Sequence, residues 1–463
     1  MKHKYYGGLL IPPPLISSVQ AVDRCIHPVF RPEQEHSLCK YLSSGAKAIK
    51  FLLFDISTCL GAFCISRKLG SSLLFRALTK NGPVVMKIGQ FLSTRLDILP
   101  EEAISRLKVL QSLAPTPRQN KHPLDIFYDE TGILLPHSSL QGEVGAGCIS
   151  RVYKVRIGEK DYALKIIDPK TRESAQIDLD LFETFSKLLG FSRFYQEFKR
   201  NMLVQLDLRK EKKNTERFRK NFALFQSPLE NKSLLTRVLS KFSNTSVVFP
   251  KPVAATESIL LTEYWKGEEI DAKSGESILF LFLKMAFKDR FVHSDFHPGN
   301  LSVIKDSKKR PGKSTIIVYD SGLTHSLTKE QSRNLADLIK TVLLDKKKKA
   351  LSLLIERNSL NTHTEEKKNA FLTSAAEHWN RANTKNTSAL DRALKVYFLA
   401  RRHNIFLDSA YTNMAMSAIY MQNHIKEVEQ VNWTTALKSG VIMDYLDLFM
   451  QWKAKQFNLS GYF

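Results

Sequence analysis

The sequence predicts an α+β fold of two unequal lobes, a small β-rich one and a large helical one, behind a helical N-terminal extension. Three observations carry this. Residues 46–120 show helical apolar spacing, punctuated by Pro83 and Pro100. Residues 143–157, 161–167, 246–253 and 259–265 are short runs of β-branched and aromatic residues bounded by turn signals, around one helical block at 172–226. From Ser277 onward the pattern is helical again, interrupted by a single strand at 315–319.

The elements follow in order. Residues 121–138 read as one more short helix, closed near Pro136. Residues 143–157 read as strand, glycine turn and strand, and 161–167 as a third strand. Thr328 with Gln331 forms a capping box that opens a helix running to Leu344. The resulting units are an N-terminal tail (1–45), a helical extension (46–138), a small lobe (139–267) and a helical lobe (268–463).

Composition excludes several classes. Of the 463 residues 43% are hydrophobic and 25% charged, which suits a core-forming protein and not a disordered one. The net charge of +23, from 69 basic against 46 acidic residues, suits an anionic partner such as a membrane surface or nucleotide. No nucleic-acid-binding module accompanies it, so nucleic acid is not expected as a partner. The run 346–349 reads as a solvated helix face. Five cysteines at irregular spacing (Cys25, Cys39, Cys59, Cys64, Cys148) form neither a disulfide framework nor a zinc site and point to a reducing compartment. The tail carries one acid, Asp23, before Glu33, compatible with a mitochondrial targeting segment. Residues 51–65 are apolar and flanked by Lys50, Arg67 and Lys68; fifteen residues fall short of the roughly 20 a span needs, so a buried or interfacial helix is expected.

The chemistry concentrates in His293-Ser-Asp295-Phe-His297-Pro298-Gly299-Asn300, which fits H-x-D-x-x-P-x-N at every fixed offset. Four identities at about one in twenty each make chance coincidence rare. A carboxylate, Asp295, is placed for the attacking hydroxyl or water, and an amide oxygen, Asn300, for Mg²⁺. Twenty residues on, a strand delivers Asp320-Ser321-Gly322, the place of a D-F-G triplet, with Asp320 as the principal Mg²⁺ ligand. Upstream, Ala163-Leu164-Lys165 fits the lysine that grips nucleotide phosphates. Gly145-Ala146-Gly147 precedes it in a hairpin setting where backbone N–H groups can approach phosphate. Glu211, with Asp207 next in line on the same helical segment, is the acid expected to pair with Lys165. Glu263 and Trp265 sit where a strand passes into a hinge that would contact adenine through its backbone. Together these give a bilobal protein-kinase-like fold binding ATP and Mg²⁺. No A-P-E-like motif follows Asp320, and a helix cap comes within ten residues, so a peptide phosphoacceptor is not expected.

Val85-Met-Lys87-Ile88-Gly89-Gln90, followed by Ser93-Thr94-Arg95 and Asp97 to Pro100, resembles the K-x-G-Q signature of the UbiB/aarF-domain family of atypical kinases. The H-x-D-x-H-P-G-N form of the loop is similar to that family's, and the likeness runs from about residue 46 to 345. Gly145-x-Gly147-Cys148-Ile149 and Gln205-Leu-Asp207-Leu-Arg209 resemble in particular its mitochondrial aarF-domain-containing kinase two group. The resemblance implies an extension helix lying over the active site, with Lys87 and Gln90 acting there. It also implies ATPase or atypical kinase activity at the matrix face of the mitochondrial inner membrane. The substrate would be a quinone-related small molecule or lipid, with coenzyme Q biosynthetic proteins as partners. Departures are Arg151 for a glutamine, Gln205 for the first acid of E-x-D, and Ser321 for the aromatic of D-F-G. These leave a second reading, a nucleotide-binding pseudokinase that serves as a membrane-associated scaffold.

Overall fold

A computed structural model describes residues 38–93, 101–107, 109–112, 119, 121–188, 192–223, 245–270, 274–306, 313–343, 346–358, 364–382, 399, 403 and 405. Residues 1–37 of the expected N-terminal tail, Cys25 among them, residues 94–100 of the extension signature and Leu344 fall outside these residues, while residues 38–45 of that tail are helical.

The extension is a run of helices: α1 (Leu38–Lys50), a π-helical turn (Phe51–Ile56), α2 (Ser57–Ile65), α3 (Arg67–Lys80), α4 (Pro83–Ser93), α5 (Glu101–Leu107) and α6 (Val109–Ser112). Pro83 starts α4 instead of breaking a helix, because a first-turn proline gives up an N–H that has no helical partner. The apolar stretch is longer than the 51–65 expectation. Gly45–Ile65 is 21 helical residues, long and apolar enough to cross a membrane. It packs on one side only: Ala48, Phe51, Cys59 and Ala62 are buried, while Leu53, Phe54, Leu60 and Ile65 are exposed.

The small lobe is built on α7 (Pro123–Thr131) and a five-stranded sheet in the order β1-β2-β3-β6-β5. Its strands are β1 (Leu140–Ala146), β2 (Arg151–Ile157), β3 (Lys160–Ile166), β5 (Pro252–Ala255) and β6 (Ile259–Glu263), all antiparallel. α7 ends not at Pro136 but at Gly132, whose φ of 72° caps the helix at little cost for glycine. Phe127 and Ile126 of α7 pack on Val155, Leu164 and Leu261 of the sheet. The expected strand 246–253 is two strands. The ladder stops after Val248, and Pro250 follows in the gap, where it lacks the N–H a continuous ladder needs. The first half, β4 (Thr245–Val248), leaves the lobe and pairs parallel with β9 (Lys313–Val318), which pairs antiparallel with β8 (Leu301–Asp306).

Between β3 and β4 lie α8 (Pro169–Leu188), α9 (Ser192–Gln205) and α10 (Leu208–Asn221), where the sequence showed one helical block. The large lobe contains α11 (Gly275–Leu283) with a π-helical end at Lys284–Asp289, then β7 (Phe291–His293), which pairs with β10 (Thr324–Ser326). α12 (Lys329–Leu343), α13 (Lys347–Asn358) and α14 (Glu365–Ala382) complete it. α12 opens with the expected box: Thr328 N–H donates to Gln331 Oε1 and Gln331 N–H to Thr328 Oγ1, each at 3.0 Å. The large lobe therefore holds strands at β7, β8 and β10 that the helical pattern hides, since such short pairings carry almost no periodicity.

The extension touches both lobes. Leu78, Val85, Met86, Leu107 and Leu110 share one core with Phe182 of α8, Phe198 of α9 and Cys148 and Ile149 of the β1–β2 loop. Ile104 of α5 packs instead with Leu351, Phe371 and Trp379 of the large lobe.

Candidate active site

Alternation along β3 buries Tyr162, Leu164 and Ile166 against α7 and turns Lys165 to the opposite face. There its Nζ lies 2.8 Å from Glu211 Oε2 and 3.0 Å from Asp320 Oδ2. Glu211 sits in the first turn of α10, is 6% exposed, and brings a carboxylate to the helix N-terminus, where the macrodipole favours it. Asp207 does not share that face. It stands outside the helix in extended geometry as the N-cap, bonded to Arg209 through the backbone N–H at 3.1 Å and the guanidinium at 2.9 Å. A capping aspartate next to arginine is thus removed from the site, and the four-residue spacing misleads because position 207 is not yet helical.

Asp320 has φ 49°, a left-handed conformation uncommon for a non-glycine residue. Its Oδ1 accepts from Gly322 N–H at 3.2 Å, the short local bond through which aspartate tolerates this region. A Cβ at Gly322 would lie 3.0 Å from Asp320 Oδ1 and 3.3 Å from Glu211 Oε2, so glycine is needed for close approach to both carboxylates. Asn214, one turn past Glu211, donates to the carbonyl of Ser321 at 3.0 Å.

The charges are strongly coupled. Burial opposes the Lys165 ammonium, but Asp320 and Glu211 outweigh it and hold the lysine charged well above its ordinary range. Burial pushes the Glu211 carboxyl up to about 7, with Asp320 adding to burial and Lys165 opposing both. Asp320 is 45% exposed on its side chain, and Lys165 holds it below the usual carboxylate range despite desolvation.

β7 sets the catalytic loop. His293 is fully buried; its Nδ1 accepts from Asp295 N–H at 3.2 Å, so its Nε2 carries the proton toward the Tyr319 carbonyl, also at 3.2 Å. Burial keeps this ring neutral. His297 Nδ1 accepts from Gly299 N–H at 3.1 Å, and its Nε2 lies 3.2 Å from Asn300 Nδ2 and 3.6 Å from Asp295 Oδ1. Desolvation works against ionised Asp295, but His297, and then Lys87, hold it well below its ordinary value. Asn300 Nδ2 donates to the Asp295 carbonyl at 2.9 Å, which leaves Oδ1 available as an oxygen donor.

Of the two α4 residues expected at this site, Lys87 acts on its carboxylates, while the contacts of Gln90 are with the extension and the β1–β2 loop. The Lys87 charge lowers the carboxyls of both Asp295 and Asp320, and the residue forms no ion pair within 4 Å among the described residues. Gln90 Nε2 donates to the carbonyl of Leu110 at 2.5 Å, and its Oε1 faces Cys148 Sγ at 3.7 Å. The β1–β2 loop is thereby docked on the extension, with Cys148 and Ile149 buried. Gly89 serves packing within the extension: a Cβ there would meet Leu110 Cδ1 at 2.9 Å.

The loop glycines need correcting. Gly147 N–H donates to Ser150 O at 2.8 Å, so it closes the hairpin and is not offered to phosphate. Gly145 and Ala146 end β1, and a Cβ at Gly145 or Gly147 meets nothing nearer than 3.8 Å. At the hinge, Glu263 N–H bonds Lys251 O at 2.9 Å and the Trp265 carbonyl accepts from Tyr319 Oη at 3.2 Å. Trp265 N–H has no backbone or side-chain acceptor among the described residues.

Among the described residues no group of three or more His, Cys, Asp or Glu could hold a metal alone. Magnesium does not require one, since phosphates and water supply most of its octahedron beside one or two protein oxygens. Asn300 Oδ1 and the Asp320 carboxylate are hard donors of the right kind.

Residues 138–354 match the ABC1 atypical kinase-like domain. That match, over just under half of the chain, together with the relatives that follow, supports the UbiB/ABC1 family. Among its curated relatives are probable protein kinases UbiB of Blochmanniella pennsylvanica (27% identical over 282 residues; 56% of this chain, 49% of that one), Shewanella baltica (26% over 300; 58% and 50%) and Vibrio cholerae (27% over 288; 56% and 49%). The chain spans about half the length of the curated relatives it matches. A solved structure, the Rv3197–erythromycin complex from Mycobacterium tuberculosis, aligns over 72% of this chain and 92% of that one at 16% identity and a TM-score of 0.37, too low to carry an argument. The UbiB/ABC1 match fits the mixed α+β, bilobal kinase-like architecture described above.

Asn214, Phe218 and His297, whose ring faces Asp295, were given no role from the sequence. Asn214 and Phe218 lie three and seven residues past Glu211, the spacing of one helical face, and that spacing is the signal that could have found them.

Proposed function

We propose that the protein is an ATP- and Mg²⁺-dependent atypical kinase or ATPase that acts on or near a quinone-related lipid in coenzyme Q metabolism. The observation that carries this reading is the Lys165–Glu211–Asp320 ion network, close enough to Asp295 for the two aspartates to act on each other's charge, with Asn300 bonded to the Asp295 carbonyl. A structural salt bridge does not need a half-exposed aspartate in a left-handed conformation; a metal- and phosphate-facing carboxylate does.

In this reading Lys165 grips the α- and β-phosphates while Glu211 keeps its ammonium aimed. Asn300 and Asp320 would hold Mg²⁺, which would supply positive charge to neutralise the nucleotide phosphates. Asp295, ionised in the resting site, orients the attacking water or hydroxyl. It accepts the proton late, as the new P–O bond forms and the γ-phosphorus bond to the ADP oxygen breaks. A weak base suits that role because the transition state is loose and needs little early proton removal. Trp265 N–H remains for the base, and Glu263 lies beside it. Lys87 adds a cation facing Asp295 and Asp320, which restricts the site to water or a small acceptor.

The location we propose is the matrix side of the mitochondrial inner membrane, supported by the likeness of the loop and 205–209 segments to the mitochondrial group. The exposed apolar side of Gly45–Ile65, with Lys47 and Lys50 in its first turns and Arg67 and Lys68 just past its end, supports contact with an anionic bilayer. Steady-state hydrolysis of ATP by the purified full chain, with Asp320→Asn as control, tests the reading. A rate that is magnesium-independent or equal in the variant rejects it in favour of the pseudokinase scaffold.

A further inference from the structure

In a protein kinase the aromatic residue of the D-F-G triplet packs against neighbouring elements, and its placement sets the active or inactive state. Here position 321 is a serine, only 2% exposed. The backbone there is tied instead to α10, where Asn214 Nδ2 donates to the Ser321 carbonyl at 3.0 Å.

Phe218 of α10 is fully buried two turns past Glu211. Its ring stacks on Phe249 at 4.9 Å and 5°, meets Phe291 at 4.6 Å, and lies 6.1 Å from the His293 ring at 27°. His293 in turn meets Phe296 at 5.7 Å, and Phe222 closes the other end on Phe249 at 5.3 Å. The result is a continuous aromatic column from the helix of Glu211, through the imidazole that anchors Asp295 and Tyr319, into the large lobe.

α10 is fixed at both ends. Leu208 packs with Ile167 and Leu260 of the small lobe, and its N–H bonds Glu257 O at 3.1 Å. At the other end Phe218 and Phe222 belong to the core of the large lobe. Arg217 lies over the Phe291 ring at 3.9 Å and reaches Ser326 Oγ at 3.3 Å. Arg219 donates to Phe249 O at 2.5 Å. A helix shared by two cores cannot swing out without opening both.

We propose that Phe218 is a positioning residue that performs, from α10, the task the aromatic at position 321 performs in a protein kinase. It seats the catalytic loop through His293, and with Asn214 on the Ser321 carbonyl it holds the Asp320 loop. The Lys165–Glu211–Asp320 network is then assembled permanently, with no helix swing and no flip of the Asp320 loop as a control point. This rests on the phosphoryl-transfer reading of the site for its functional meaning, but not for its geometry.

The test compares full-length Phe218→Leu with Phe222→Leu, which removes a ring of the same column that has no contact with His293. Amide hydrogen exchange is measured at low temperature, where both variants are folded, together with ATP·Mg²⁺ affinity. Both variants should melt earlier. Only Phe218→Leu should speed exchange at 292–300 and 319–323, by about tenfold, and weaken ATP·Mg²⁺ binding by about tenfold. Should Phe218→Leu fail to fold, Phe218→Met, whose unbranched flexible chain adapts to the space without a ring, takes its place. Equal exchange in the two variants, or unchanged exchange at both loops, overturns the proposal. If the wild-type chain binds no ATP·Mg²⁺, the functional reading falls, and the exchange comparison still decides the role of Phe218.

Discussion

Replacing Lys165 by methionine should weaken nucleotide binding far more than it weakens the fold. The structure sets both magnitudes. Lys165 lies between two carboxylates, at 2.8 and 3.0 Å, so its removal would ordinarily strand a buried charge at about 3–5 kcal/mol. Glu211, however, is already raised to about 7 and can take up a proton near neutral pH, which relieves the stranded charge. Asp320 is 45% exposed and keeps its solvent. We therefore expect a stability loss of only about 1–2 kcal/mol, in the ordinary range for a single substitution. Binding has no such relief. A lost charged hydrogen bond to phosphate is worth about 1.5–3 kcal/mol, or roughly a 10–150-fold rise in Kd. Lys165→Arg should fail similarly, because a planar fork cannot take the place of a point charge between two carboxylates. Calorimetric titration with ATP·Mg²⁺, beside thermal melts, measures both quantities. Kd values within threefold of wild type in both variants would refute the assignment of Lys165 to phosphate.

Gly322→Ala would place a methyl 3.0 Å from Asp320 Oδ1, and should cost about 1–2 kcal/mol and weaken magnesium-dependent binding; a melt and an affinity both unchanged would show that the Asp320 loop has slack. Gln90→Ala leaves the Leu110 carbonyl without its donor and undocks Cys148, so the melting temperature should fall by the equivalent of about 1–3 kcal/mol, with faster exchange in the β1–β2 loop. Ser321→Phe, which restores the familiar triplet, should destabilise by about 1–3 kcal/mol or more, because the site is already packed; a more stable variant would contradict the role given to Phe218. The pH dependence follows from Glu211. Its folded-state value, about 7, lies above its ordinary 4.5, so its contribution is full below pH 4.5 and is lost as pH rises through 7. Wild type should therefore lose stability relative to Glu211→Gln between pH 5 and 8, as read from paired denaturant melts; a constant difference would refute the raised value.

The catalytic loop, the Asp320 triplet and Lys165 could be read from sequence because each is a local pattern with fixed offsets. The order of helical extension, β-rich lobe and helical lobe was legible for the same reason, since it rests on hydrophobic period. What escaped depends on contacts distant in sequence. Asp207 and Glu211 look equivalent at a spacing of four, and only the start of α10 at Leu208 separates a cap from an interior residue. Gly147 looks like a phosphate-binding glycine, yet its N–H is used by the hairpin itself. Residues 246–253 look like one strand, but β4 finds its partner in β9, far along the chain. Ser321 reads as a defect in a familiar triplet; its compensation by Phe218 lies on another helix, visible only once the fold brings α10 to His293.

Magnesium-dependent ATP binding by the full chain, compared with Asp320→Ala and Asn300→Ala, tests the central claim most directly. Thermal shift with ATP and Mg²⁺ should stabilise the wild-type protein, while both variants should melt as a folded protein and show no magnesium-dependent shift. An undiminished shift in both variants would contradict the account, because neither residue could then be holding the metal.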